Sequence, residues 1–206
     1  MRDVKAGIEE VLSYWLEPEP RTAVEAEARK EFWFTGGPAI DDEIRRRFGA
    51  LVGKARAGEL GAWTETARGT IALIILVDQF SRNLHRGTPA AFSHDPLGLA
   101  LARAGFDAGH FDALGPIERL FAALPFRHAE DVESQKRAVA LAVTDAVAGP
   151  AHLQDFLVYS VDWARKHLDV IVRFGRFPHR NAALGRVSTP EEKQYLAYLT
   201  KAGQWL

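Results

Sequence analysis

The chain has 206 residues, 47% apolar and 26% charged, which excludes a disordered or fibrous protein and suits one hydrophobic core in a single domain over 1–206. Its 26 basic and 27 acidic residues leave a net charge of -1, so no global field draws it onto nucleic acid or a membrane surface. The lack of cysteine excludes disulfides, thiolate metal sites and cysteine nucleophiles, and suits a reducing compartment.

The first residues, Met1-Arg2-Asp3-Val4-Lys5, lead into an amphipathic pattern with no apolar signal core, so a cytoplasmic protein is expected. Val4, Ile8, Val11, Leu12 and Trp15 recur at helical spacing, and Pro18 and Pro20 end this first helix. Thr22 followed by Glu25 opens a second helix that runs to about Phe34, ahead of Gly36-Gly37-Pro38. A third starts at Asp41 or Asp42 and carries Ile44, Phe48, Leu51 and Val52 on one face. The spacing pairs Asp41 with Arg45, Asp42 with Arg46 and Glu43 with Arg47, so the triple arginine reads as a solvated face rather than a nucleic-acid contact.

A helix from about Thr64 to Leu84 holds the apolar run at 71–77, far short of the ~20 residues that cross a bilayer. A strand is the alternative for such a run, but it has no second run to pair with, so a buried central helix is expected. Asp95 and Pro96 supply an N-cap and a first-turn proline for a helix to about Ala108. Pro116 starts a short helix with Ile117, Leu120, Phe121 and Leu124. Another runs from about Glu130 to Val147, and a long one from about Ala151 to Phe174, capped by Gly175. Thr189-Pro190-Glu191-Glu192 opens the last. About nine helices with short links predict an all-α fold of antiparallel pairs, stacked as a bundle or a short solenoid.

Three linking segments carry the candidate chemistry. In the first, Asp78, Arg82 and Arg86 share one helical stripe, and Gln79 and Asn83 the next, inside an otherwise apolar helix. Such groups need partners, which leaves two readings: an Asp78–Arg82 brace, or a ligand-facing stripe. In the second, His128 precedes a helix start rich in acids. Glu130, Asp131 and Glu133 complement the helix dipole, while His128 is open to a role as general base, metal ligand or cap. In the third, Arg173, Arg176, His179, Arg180, Asn181 and Arg186 crowd a linker broken by Gly175, Pro178 and Gly185. Arginine forks and amide donors there suit a carboxylate or phosphate. His167, at the border of the apolar face of the long helix, reads as a satisfied core residue, with a ligand role as the alternative.

The phosphate-loop, dinucleotide-binding, nucleophile-elbow and HExxH motifs are all missing, so no cofactor is named. A metal would have to draw on His128, Glu133, His167 and Asp169 from separate segments, which their spacing does not demand; no metal is expected.

The same segments carry a family resemblance. Phe32-Trp33-Phe34, Leu76-Val77-Asp78-Gln79-Phe80-Ser81-Arg82-Asn83, Leu124-Pro125-Phe126 with His128, and Arg173-Phe174-Gly175-Arg176-Phe177-Pro178-His179-Arg180-Asn181 with Leu184-Gly185-Arg186 resemble the bacterial family called domain of unknown function 924. The resemblance implies a tetratricopeptide-like helical-repeat fold and no assigned activity. The chain departs from the family pattern at Ser81, where proline is usual, and at Arg127 and Ala129, where glutamate and serine are usual. Ala129 therefore excludes a nucleophile at that position.

Two functions follow. In one, Asp78, Arg82, Asn83, His128, His179, Arg180 and Asn181 line a pocket for an anionic small molecule, with Arg176 beside them. Arg82 and Arg180 hold the anion, Asn83 and Asn181 orient it, and His128 or His179 moves a proton. In the other, these residues brace a non-catalytic helical-repeat module that binds a protein or peptide partner.

Overall fold

Prolines and short polar residues set most of the helix starts. A computed structural model describes residues 2–17 and 19–202, and nine helices with no strand run through them. Helix α1 spans Arg2–Trp15; Pro18, expected to end it, lies outside the described residues. Thr22 caps α2 (Ala23–Lys30) by accepting the Glu25 N–H at 3.2 Å, and a wider π turn, Glu31–Thr35, extends it. Helix α3, Pro38–Arg56, starts before the expected Asp41 because Pro38 serves in a first turn, where its missing N–H has no partner to lose. Helix α4 joins Ala67–Ile74, a π turn at Ile75–Phe80 and Ser81–Leu84.

Then come α5 (Asp95–Asp107), α6 (Pro116–His128), α7 (Val132–Ala148), α8 (Gln154–Phe174) and α9 (Pro190–Ala202). Gly175 closes α8 with φ 69°, a left-handed cap for which glycine has no steric penalty. Thr189 and Glu192 make the expected reciprocal cap of α9.

Two local expectations are corrected. Pro125 lies inside α6, which continues to His128, so His128 ends one helix instead of preceding the next. The buried Gln135 side chain stabilises that end by donating to the carbonyls of Phe126, Arg127 and Ala129 at 3.3, 2.6 and 2.7 Å. On α3 the surface pairs Asp42–Arg45 and Glu43–Arg46 fall at i,i+3, both at 2.7 Å, while Glu43 also meets Arg47 at the expected i,i+4 spacing, at 3.9 Å. Asp41 instead turns inward.

Helix α4 is the centre of the core. Residues 71–80 are all buried, and α1, α3, α5 and α6 pack around them. Phe80 meets Trp15 and Phe48 with ring centroids 5.2 and 5.0 Å apart. Burying one such side chain is worth roughly 1.5–3 kcal/mol, so this helix carries much of the stability. A smaller cluster of Val170, Ile171 and Phe177, flanked by Phe174 and Tyr195, fixes the 175–187 linker against α8 and α9. Among the described residues no helix is long and apolar enough to cross a membrane.

Candidate functional site

The centre of the site is a charge inside the apolar helix. The π turn of α4 contains Asp78 and Gln79, and Ser81 donates its hydroxyl proton to the Leu76 carbonyl at 3.2 Å, a group that the altered turn would otherwise leave short of a partner. The Asp78 side chain is sealed, with 1% of its surface exposed. Its carboxylate accepts from Gln79 Nε2 at 2.5 Å, Arg82 Nη1 at 2.8 Å and His128 Nδ1 at 2.8 Å. Helix α4 supplies the acid and Arg82, and the last residue of α6 supplies the histidine.

Asp95, in the first turn of α5, extends the cluster. Its Oδ2 accepts from Arg82 Nη2 and Arg180 Nη1, both at 3.0 Å. Arg82 Nη2 also lies 3.0 Å from Asp95 Oδ1, but off the direction of a hydrogen bond, which leaves that oxygen unbonded. The Arg180 guanidinium sits between two rings, 4.7 Å from the Phe92 centroid and 4.6 Å from that of Phe177. Its Nε and the neighbouring His179 Nδ1 are buried without a protein partner. The cluster grades outward: Arg82 is 20% exposed, and His128 and Asp95 are 16% exposed each.

The charges fix the protonation pattern. Burial opposes ionisation of Asp78, but Arg82 and His128 outweigh it and hold the carboxyl well below the usual carboxylate range. Burial and the adjacent Arg82 push His128 down against the pull of Asp78. His128 is thus neutral at pH 7, and its proton lies on Nδ1, facing the ionised carboxylate. The lone pair of Nε2 has no protein partner among the described residues. Burial raises Asp95 despite its two arginines. Burial and Arg180 bring His179 down to about 3.

Four expected residues therefore bond into one cluster, Asp78, Arg82, His128 and Arg180, and His179 adjoins it. The others do not converge. Asn83 Nδ2 donates to Asp41 at 2.7 Å beside an Arg86–Asp41 pair at 2.6 Å, tying the end of α4 to α3. Arg176 pairs with Glu192 at 2.7 Å, and Asn181 Nδ2 reaches Glu192 at 3.2 Å and Ser188 at 3.0 Å, tying the linker to α9. Arg86 is bound up in the first of these ties. Arg186 forms a further one with Glu130, whose carboxylate also accepts the Phe177 N–H. His167 is buried, with Nδ1 2.8 Å from the Trp163 carbonyl, as a satisfied core residue should be.

Sequence reasoning missed Asp95, Phe92 and Glu130 as members or supports of the site. Asp95 and Glu130 read locally as helix-start acids, and no spacing rule links Asp95 to Arg180, 85 positions away. Among the described residues no group of three or more His, Cys, Asp or Glu side chains is arranged to hold a metal ion.

No curated protein matches the chain. A solved structure of a protein of unknown function from Agrobacterium tumefaciens matches with TM-score 0.78 and 34% identity, over 94% of this chain and 98% of that one. The family model described as bacterial protein of unknown function, DUF924, matches residues 11–199. The chain belongs to that family.

Proposed function

We propose that the protein binds a small anionic molecule at the Asp78–Arg82–His128–Asp95–Arg180 cluster, and that His128 moves a proton on it. The observation that carries this reading is the Asp78–His128 pair. A sealed carboxylate holds Nδ1 and turns the basic Nε2 toward the accessible edge, the arrangement by which a general base is oriented. Among the described residues Arg180 Nε and Nη2 donate to no protein acceptor, which leaves them for an incoming oxygen. A raised Asp95 beside a lowered His128 also fits an acid and a base on one ligand. The other site residues proposed from sequence, Asn83, Arg176 and Asn181, are taken as braces, and a cytoplasmic location suits the cysteine-free chain.

The test is thermal unfolding of the protein against phosphates, carboxylates and nucleotides, with Arg180→Met alongside. A ligand at about 100 Kd adds about 2.7 kcal/mol to the native state. Stabilisation by one class of anion, lost in the variant, is the expected result. A uniform response to ionic strength in both proteins would overturn it.

A second reading rests on the charge balance of the cluster, where Arg82 and Arg180 already face Asp78 and Asp95. The successive packing of α6 on α7 and α7 on α8 is compatible with a tetratricopeptide-like stack, in which the arginines would clamp the terminal carboxylate of a peptide. Stabilisation by carboxylate-ended peptides, and not by small anions, would favour it.

A further inference from the structure

Arg127 is a buried cation with no acid beside it. It precedes His128 in the last turn of α6, but its side chain points the other way, toward α8. It is 9% exposed, and Nη2 donates to Ser160 Oγ at 2.9 Å and to the Ser160 carbonyl at 3.3 Å. Its Nε is buried without a partner, and among the described residues no carboxylate lies within 4.0 Å of it. Asp145, the nearest candidate by its place in the same cavity, is engaged by Arg119 at 2.7 Å.

A guanidinium does not escape this position by losing its proton. Burial pulls Arg127 down only to about 10, so it stays charged at neutral pH. A buried charge left uncompensated costs several kcal/mol, which is why such groups are paired. Here the missing partner has a place to sit. Arg127 and Ser160 face a small cavity between α6, α7 and α8, walled by Leu120, Ala123, Ala138, Ala142 and Leu157, with the Asp145 carboxylate, held by Arg119, also on its lining. The alanines leave a small space beside the guanidinium, enough for a single small particle.

From this geometry we infer that the cavity is a site for a small monovalent anion of halide size, chloride in solution, held by the Arg127 guanidinium and the Ser160 hydroxyl. A halide is favoured over a phosphate or carboxylate because the rest of the lining, apolar side chains and the Asp145 carboxylate already paired with Arg119, offers no donors for additional oxygens. The site is separate from the Asp78–His128 cluster, and neither result below bears on that cluster.

The experiment compares thermal unfolding in sodium chloride and in sodium gluconate of equal ionic strength, for the wild type and Arg127→Met. Crystals grown in bromide then locate the ion by anomalous scattering. Gluconate is too large to enter. The expected results are a wild-type midpoint that rises with chloride at fixed ionic strength, a variant indifferent to the anion, and a bromide peak beside the guanidinium. Equal midpoints for the wild type in the two salts, or bromide crystals with no peak there, would assign the charge balance to water and overturn the site. If Arg127→Met does not fold, Ser160→Ala serves in its place with a weakened chloride response expected, and the wild-type bromide map decides location by itself.

Discussion

The inner cluster around Asp78 and the outer ties at Asp41 and Glu192 use the same residue types and end differently. In the outer ties each carboxylate meets the groups that need it: Asp41 takes Asn83 and Arg86, and Glu192 takes Arg176, Asn181 and its own helix start. The pKa directions agree. Hydrogen bonds from Arg86 and Asn83 outweigh burial and lower Asp41; Arg176 and the Thr189 N–H bring Glu192 to about 2. In the inner cluster the accounts stay open, with Asp95 raised, Arg180 Nε and His179 Nδ1 unbonded, and His128 Nε2 free among the described residues. Acids and arginines that satisfy one another brace helices. In the inner cluster, buried donors without a protein partner and a base remain beside its partly exposed members, and the proposed ligand site rests on that difference.

Asp78→Ala should have the largest effect. It strands Arg82 and His128 around a buried hole, and urea unfolding should record a loss of about 3–5 kcal/mol. Acid provides the next effect. His128, His167 and His179 are all depressed by burial, so the unfolded chain takes up their protons first, near pH 6.5. Their contribution is complete above about pH 6.5 and is lost as pH falls toward the folded values, about 3 for His179. Every tenfold difference in proton affinity between the folded and unfolded chain is worth roughly 1.4 kcal/mol. Stability should therefore fall steeply in a scan from pH 7 to 4, and less so in His179→Asn. Asn83→Ala and Asn181→Ala sharpen the contrast: each should lose about 1–2 kcal/mol of stability and leave any ligand response unchanged. Lys136→Ala, which removes an exposed pair with Glu133, should change stability by less than about 0.5 kcal/mol.

Much of this is legible in the chain. Prolines 38, 96, 116 and 190 each stand in a first helical turn, and the apolar run at 71–77 forms the central helix because nothing else can pair with it as a strand. The Asp78–Arg82 stripe and the basic linker are visible as polar residues that apolar surroundings cannot leave alone. Partners distant in sequence are not visible. Asp41 reads as a surface partner of Arg45 because the i,i+4 rule knows only its own helix, whereas Arg86, 45 positions on, claims it. Asp95, Glu130 and Glu192 read as dipole or capping acids, and each has a second partner that only the packing of helices brings near. Arg127 carries no signal of its burial, since one charged residue between Phe126 and His128 fits either face. Pro125 suggests a helix end, and Gln135, acting from the next helix, offsets that tendency.

The central claim is that Asp78 holds His128 as a neutral base whose Nε2 meets a ligand. Proton–nitrogen correlation spectra of the histidine-labelled protein, with His128→Asn for assignment, test it directly. At pH 7 His128 is expected to carry its proton on Nδ1, with Nε2 bare, and the Nε2 resonance should shift when the stabilising anion is added. A proton on Nε2, or a resonance that no anion in the panel moves, would contradict it and leave the Asp78 cluster as one more brace.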